Sequence, residues 1–226
     1  MCAKAVALAA RPEGMPKTSD FQIVDIESND PADGEIQVQN ICMSVDPYMR
    51  GRMVDRKSYV PPFQIGEPLT GGAIGKVTKS AHPDFKEGDF VSSHWGWRDG
   101  FTARAEGIER LGEIVAPASE YLGAIGMPGM TAYAGLLEVG ALKDGETVFV
   151  SGAAGAVGSI VGQIAKLKNC HVIGSAGNDE KVELLTKELG FDSAFNYNDG
   201  NLLGHLRELA PEGIDVYFDN VGAEHL

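Results

Sequence analysis

Residues 147–158 read TVFVSGAAGAVG. Thr147–Ser151 has the short apolar character of a buried strand, and the glycine-rich segment after it opens a helix. The turn parses as Gly152-x-x-Gly155-x-x-Gly158. Against the pattern G-x-G-x-x-G, Ala153 stands in for the first glycine. Small residues here let the main chain approach a pyrophosphate without a side-chain clash, and Gly158 lets the helix pack closely on the strands. Free N–H groups and the helix dipole then favour negative charge. The alternative is a tight strand–helix turn with no ligand. The strand before, the helix after and a second strand at the right distance favour a dinucleotide.

Outward from this turn, the chain alternates strand and helix. A helical stretch runs from about Pro128 to Val139. Val157, Ile160, Val161, Ile164 and Leu167 recur at spacings of three and four, the stripe of an amphipathic helix. His171–Ala176 is a second strand. Asp179–Leu189 is helical, with Gly190 placed to end it. A strand near Ala194–Asn196, a helix near Leu202–Ala210 and a strand at Asp215–Asp219 follow. Such alternation predicts an α/β fold with a doubly wound parallel sheet over residues 121–226. Only four strands are counted where a two-halved dinucleotide fold has about six, so its C-terminal part is expected beyond Leu226.

Residues 1–120 read differently. Phe21–Ile26, Glu35–Val45, Ala73–Val77 and Phe90–His94 are short strand-like runs broken by Gly, Pro, Asp and Asn. Asp33-Gly34 and Asp99-Gly100 are expected to close hairpins, and Glu87-Gly88-Asp89 to form a turn. This half predicts a compact β-barrel or sandwich.

Composition narrows the function. The 226 residues carry a formal charge of −13. With no basic cluster, that charge argues against nucleic acid and against an anionic membrane surface. Three cysteines, Cys2, Cys42 and Cys170, make no disulfide framework. A reducing, cytoplasmic setting is expected, with no stretch long enough to span a membrane. There is no Cys-x-x-Cys and no His-Glu-x-x-His, so no metal is expected. No Gly-x-Ser-x-Gly elbow supports a hydrolase. Gly71–Lys76 fails as a P-loop, because Thr70 and Val77 occupy places that need glycine and a hydroxyl.

An NAD site places an acid at the end of the second strand, for the ribose 2′-hydroxyl. Here that strand ends Ser175-Ala176-Gly177. Asp179 and Glu180 are better read as first-turn acids complementing the helix dipole. The missing acid leans the reading to NADP(H). Lys181 could reach a 2′-phosphate or could be a solvated surface lysine.

Six segments together carry a resemblance: SVDPYMRGRM (44–53), GMPGMTAY (126–133), GAAGAVGSIVGQIAKLKNC (152–170), GNDEKVELL (177–185), FNY (195–197) and FDNVG (218–222). From end to end the chain resembles the medium-chain dehydrogenase/reductase superfamily, and within it the zinc-independent, NADPH-dependent double-bond reductases. The resemblance implies a GroES-like β-barrel domain followed by a Rossmann domain. It implies that Gly152, Gly155, Ala156, Val157 and Gly158 bind pyrophosphate, that Lys181 and Tyr197 meet the 2′-phosphate, and that Asn220 contacts the cofactor. Thr131 is implied on the nicotinamide side. Tyr48 is either a substrate-pocket tyrosine or a structural aromatic in the Asp46-Pro47 turn. Met43 stands where the zinc branch has a cysteine ligand, and Ile65-Gly66-Glu67 lacks its histidine. The implied reaction is reduction of an α,β-unsaturated ketone or aldehyde by NADPH, in a homodimer. Rival readings are a quinone reductase and a non-catalytic dinucleotide-binding protein. The catalytic proton donor is expected beyond Leu226.

Overall fold

The computed structural model describes residues 2–222. The chain divides into two compact units, Met1–Leu122 and Gly123–Leu226.

In the first unit, β1 (Cys2–Leu8) pairs antiparallel with β2 (Phe21–Glu27). A five-stranded antiparallel sheet is built from β3 (Glu35–Met43), β4 (Ala73–Ser80), β5 (Phe90–Ser93), β6 (Gly100–Arg104) and β7 (Glu109–Gly112), in the order β6-β3-β4-β5-β7. Ile36, Val38, Val77, Val91, Phe101 and Ile108 form its core. A short helix, α1 (Tyr48–Arg52), buries Met49 in a second cluster with Leu8, Phe63 and Leu69.

Two hairpin expectations fail. Asp33-Gly34 lies between β2 and β3, which belong to different sheets. Gly100 opens β6, which pairs with β3 and not with β5. A Cβ at Gly100 would stand 2.9 Å from the Val38 carbonyl oxygen, so this glycine serves close strand approach. Glu87-Gly88-Asp89 does turn the chain between β4 and β5, with Gly88 at φ +92°. β3 stops at Met43 rather than Val45, whose side chain is exposed.

The second unit begins with α2 (Met127–Tyr133), which continues to Val139 as a wider π-type turn closed by Gly140 N–H donating to Gly135 O at 2.9 Å. Then come β8 (Thr147–Val150), α3 (Gly158–Leu167), β9 (His171–Ala176), α4 (Asp179–Lys187), β10 (Ser193–Asn196), α5 (Leu202–Leu209) and β11 (Val216–Phe218). All four strands are parallel, in the order β10-β9-β8-β11. Val148, Val150 and Val172 pack with Val161, Ala165, Leu185 and Phe191. Phe149, Ile173 and Phe195 form a separate cluster, against which Leu202 and Leu206 of α5 pack.

The expected stripe of α3 holds except at Leu167: Val161 is buried and Val157, Ile160 and Ile164 pack against the same core. Gly158, Gly162 and Ala165 are buried too, and Leu167 is 84% exposed. The two glycines Gly162 and Gly174 face Phe191: a Cβ at Gly162 would lie 2.0 Å from its Cζ, and one at Gly174 2.9 Å from its Cδ1. The aromatic ring fills the space between helix and sheet, so the facing helix positions must be small.

Candidate functional site

The site grows from the C-terminal ends of β8, β9 and β11. Gly152 takes φ +55°, the left-handed region that glycine adopts without strain. Ala153 turns inward: its side chain is fully buried and its N–H donates to Ser175 O at 2.9 Å. A Cβ at Gly158 would lie 2.7 Å from Gly152 O and 2.8 Å from Ala153 Cα, so α3 starts in direct contact with the end of β8. Gly155 and Ala156 are exposed. Gly155 N–H donates to Gly152 O at 2.9 Å, and no side chain caps α3. Among the described residues no protein acceptor takes the N–H groups of Ala156, Val157 or Gly158. An uncapped helix start behind a small-residue turn is a cradle for an anionic group.

At the end of β9, a Cβ on Gly177 would stand 2.8 Å from the Tyr197 hydroxyl. Asn198 Nδ2 donates to Gly177 O at 2.7 Å. Asn178 caps α4 by accepting the Lys181 N–H at 2.9 Å. Asp179 and Glu180 sit in the first helical turn, and Asp179 is held by Asn196 Nδ2 at 2.9 Å. Lys181 is exposed, and its ammonium has no carboxylate partner among the described residues. No acid occupies the end of β9, and a tyrosine hydroxyl stands there instead.

At the tip of β11, residues that sequence reasoning passed over do the organising. Ser151, fully buried, donates from Oγ to Asp219 Oδ1 at 2.6 Å. Asp219 also accepts the Tyr217 hydroxyl at 2.8 Å and the N–H groups of Val221 and Gly222 at 3.0 Å. Desolvation works the other way, but the hydrogen bonds from Ser151, Val221, Gly222 and Tyr217 win. They hold the Asp219 carboxyl well below the usual carboxylate range. Burial, together with the Asp219 carboxylate, pushes Tyr217 up to about 12. A buried serine ending an apolar strand was a visible signal. Its partner, 68 residues away, was not.

Thr131 stands apart from this group. It is exposed on α2, with its hydroxyl engaged by Met127 O at 2.8 Å. Tyr48 belongs to the first unit, where it opens α1 and lines a cleft of about 570 Å³ with Arg52, Arg56 and Tyr59. Burial, with a further push from Asp46, raises the Tyr48 phenol above its ordinary value.

Residues 4–111 match the family model described as the N-terminal domain of oxidoreductase, and residues 156–226 match that described as zinc-binding dehydrogenase. The chain is 46% identical over 231 residues to the NADP(+)-dependent 2-alkenal reductase of Nicotiana tabacum, covering 99% of this chain and 67% of that one. It is 42% identical over 217 residues to the NADPH-dependent curcumin reductase of Escherichia coli, covering 96% and 63%. CurA from Vibrio vulnificus, solved in complex with NADPH, superposes with a TM-score of 0.91 at 42% identity, covering 98% of this chain and 66% of that chain. The chain thus spans about two thirds of the length of these relatives. It belongs to the medium-chain dehydrogenase/reductase superfamily. Within it, the relatives just named are a curcumin reductase and a 2-alkenal reductase, both NADP(H)-dependent by name.

The word zinc in the second description finds no counterpart in the donors present. Among the described residues no group of three or more His, Cys, Asp or Glu is placed to hold a metal. The sulfur of Met43 accepts the Trp97 N–H at 3.1 Å. These residues do not fit a metal ion.

Proposed function

We propose that this chain holds NADPH and reduces the C=C bond of an α,β-unsaturated ketone or aldehyde. The carrying observation is the uncapped glycine turn at the start of α3, with Lys181 and Tyr197 at the neighbouring strand end in place of an acid. The names of the curcumin and 2-alkenal reductases support the reading. In it, Gly152, Gly155, Ala156, Val157 and Gly158 take the pyrophosphate, with the main-chain N–H groups of Ala156, Val157 and Gly158 as donors. Lys181 and Tyr197 take the 2′-phosphate, Lys181 as a charge-assisted donor. Asn220 meets a further polar group of the cofactor, and Thr131 lies towards its nicotinamide end.

When bound, NADPH supplies the hydride that goes to the β-carbon of the alkene. What remains for the protein is orientation, exclusion of water and a donor for the carbonyl oxygen as negative charge gathers there. Tyr48 is that donor in this reading, through its phenolic O–H. The enzyme would work as a cytoplasmic homodimer on small-molecule enones.

The test is a cofactor-oxidation assay with a conjugated enone, its saturated analogue and a quinone. The enone should be reduced at the C=C bond, which product analysis by mass spectrometry identifies. Turnover of the quinone alone, or of nothing while NADPH binds, would overturn the reading.

A further inference from the structure

Asn220 is gripped at two points by one residue. Its backbone N–H donates to Ser151 Oγ at 2.8 Å, and its side-chain Nδ2 donates to Ser151 O at 2.9 Å. A carbonyl oxygen accepts and cannot donate, so the amide nitrogen must face Ser151. That fixes the flip state of the side chain and leaves Oδ1 as the atom Asn220 presents. Asn220 is exposed, and Oδ1 has no partner among the described residues.

Ser151 is itself held. Its Oγ has one proton, which goes to Asp219 at 2.6 Å, so the oxygen is free to accept from Asn220. Asp219 is anchored in turn by the Tyr217 hydroxyl and the N–H groups of Val221 and Gly222. The clasp also touches the glycine turn. A Cβ on Gly152 would meet Val221 Cγ2 at 3.2 Å and Asn220 Cβ at 3.5 Å. The tip of β11 and the turn after β8 are therefore packed as one piece.

We infer that Ser151 and Asp219 are positioning residues. They orient Asn220 so that its Oδ1 accepts a hydrogen bond from a donor on the bound ligand, and they lock that acceptor in register with the glycine turn. With NADPH as ligand, which rests on the function proposed above, the donor is a ribose hydroxyl or the nicotinamide carboxamide. Neither Ser151 nor Asp219 has to touch the cofactor for this.

A double-mutant cycle separates positioning from general loosening. The dissociation constant of NADPH is measured for Ser151→Ala in three backgrounds: wild type, Asn220→Ala and Lys181→Ala. The clasp predicts a rise of about tenfold in wild type and in Lys181→Ala, as for one lost ligand hydrogen bond. It predicts almost no further rise in Asn220→Ala. The same factor in all three backgrounds, or no effect in any, overturns the inference. Asp219→Asn, which keeps the shape and removes the charge, is read in the same backgrounds and decides the matter if Ser151→Ala does not fold. If the wild-type chain binds no NADPH, the proposed function falls. The clasp is then judged by NMR, from the side-chain amide protons of Asn220. Protection from exchange in wild type upholds the orientation, because the accepting atom is the Ser151 main-chain oxygen; fast exchange in wild type overturns it.

Discussion

Gly158→Ala adds one methyl group where there is no room for it. The new Cβ would stand 2.7 Å from Gly152 O and 2.8 Å from Ala153 Cα. Both are main-chain atoms, so no rotamer change relieves the clash. Carbon atoms pack at about 3.5–4.0 Å, so α3 must retreat by close to 1 Å or the turn must open. Overpacking of this kind costs about 1–3 kcal/mol. A loss of 2 kcal/mol lowers the melting temperature of a chain this size by about 4–8 °C. Gly155→Ala is the matched control. Its Cβ meets only Gly152 O, at 3.1 Å, on an exposed residue. Stability should change by no more than about 0.5 kcal/mol. The methyl group would sit on the exposed face of the proposed pyrophosphate turn, however, and NADPH affinity should fall about 10–100-fold, as for one weakened charge-assisted hydrogen bond. Calorimetric melting and NADPH titration of both variants read the two effects separately. A Gly158→Ala protein that melts like wild type, or a Gly155→Ala protein that binds NADPH like wild type, refutes this account of the turn.

Lys181→Ala should weaken NADPH binding about 10–100-fold and leave NADH almost unaffected, measured by titration with each cofactor. Tyr48→Phe should lower kcat for an enone by about 100-fold while the dissociation constant of NADPH stays unchanged. Gly162→Ala should destabilise by about 1–3 kcal/mol in urea unfolding, because the buried Phe191 ring has nowhere to move. Asp219 has a folded pKa below its unfolded value, so its contribution is complete above the unfolded value of about 4 and is lost as pH falls through the folded one. Urea unfolding of wild type should show stability declining below about pH 4, more steeply than in Asp219→Asn.

What could be read in advance was what neighbouring residues encode. The strand, turn and helix at 147–167 are local, and so is the missing acid after Ala176. β1 escaped because its buried face is alanine at residues 3, 5 and 7, too small to stand out as a hydrophobic alternation. β6 and β7 are short and take their partners from distant strands. Leu167 fits the helical period but is the last residue of α3, where the chain turns off, and it is 84% exposed. The pairing of Ser151 with Asp219 depends on β8 and β11 lying side by side, an adjacency that skips two intervening strands. No periodicity within either segment carries that information.

The central claim is that the turn after β8, with Lys181 beyond β9, binds NADP(H). The most direct measurement is a titration of the full chain with NADPH and with NADH under identical conditions, followed by calorimetry. Saturable NADPH binding, at least about tenfold tighter than NADH, is the predicted result. No NADPH binding, or NADH bound as tightly, would contradict it.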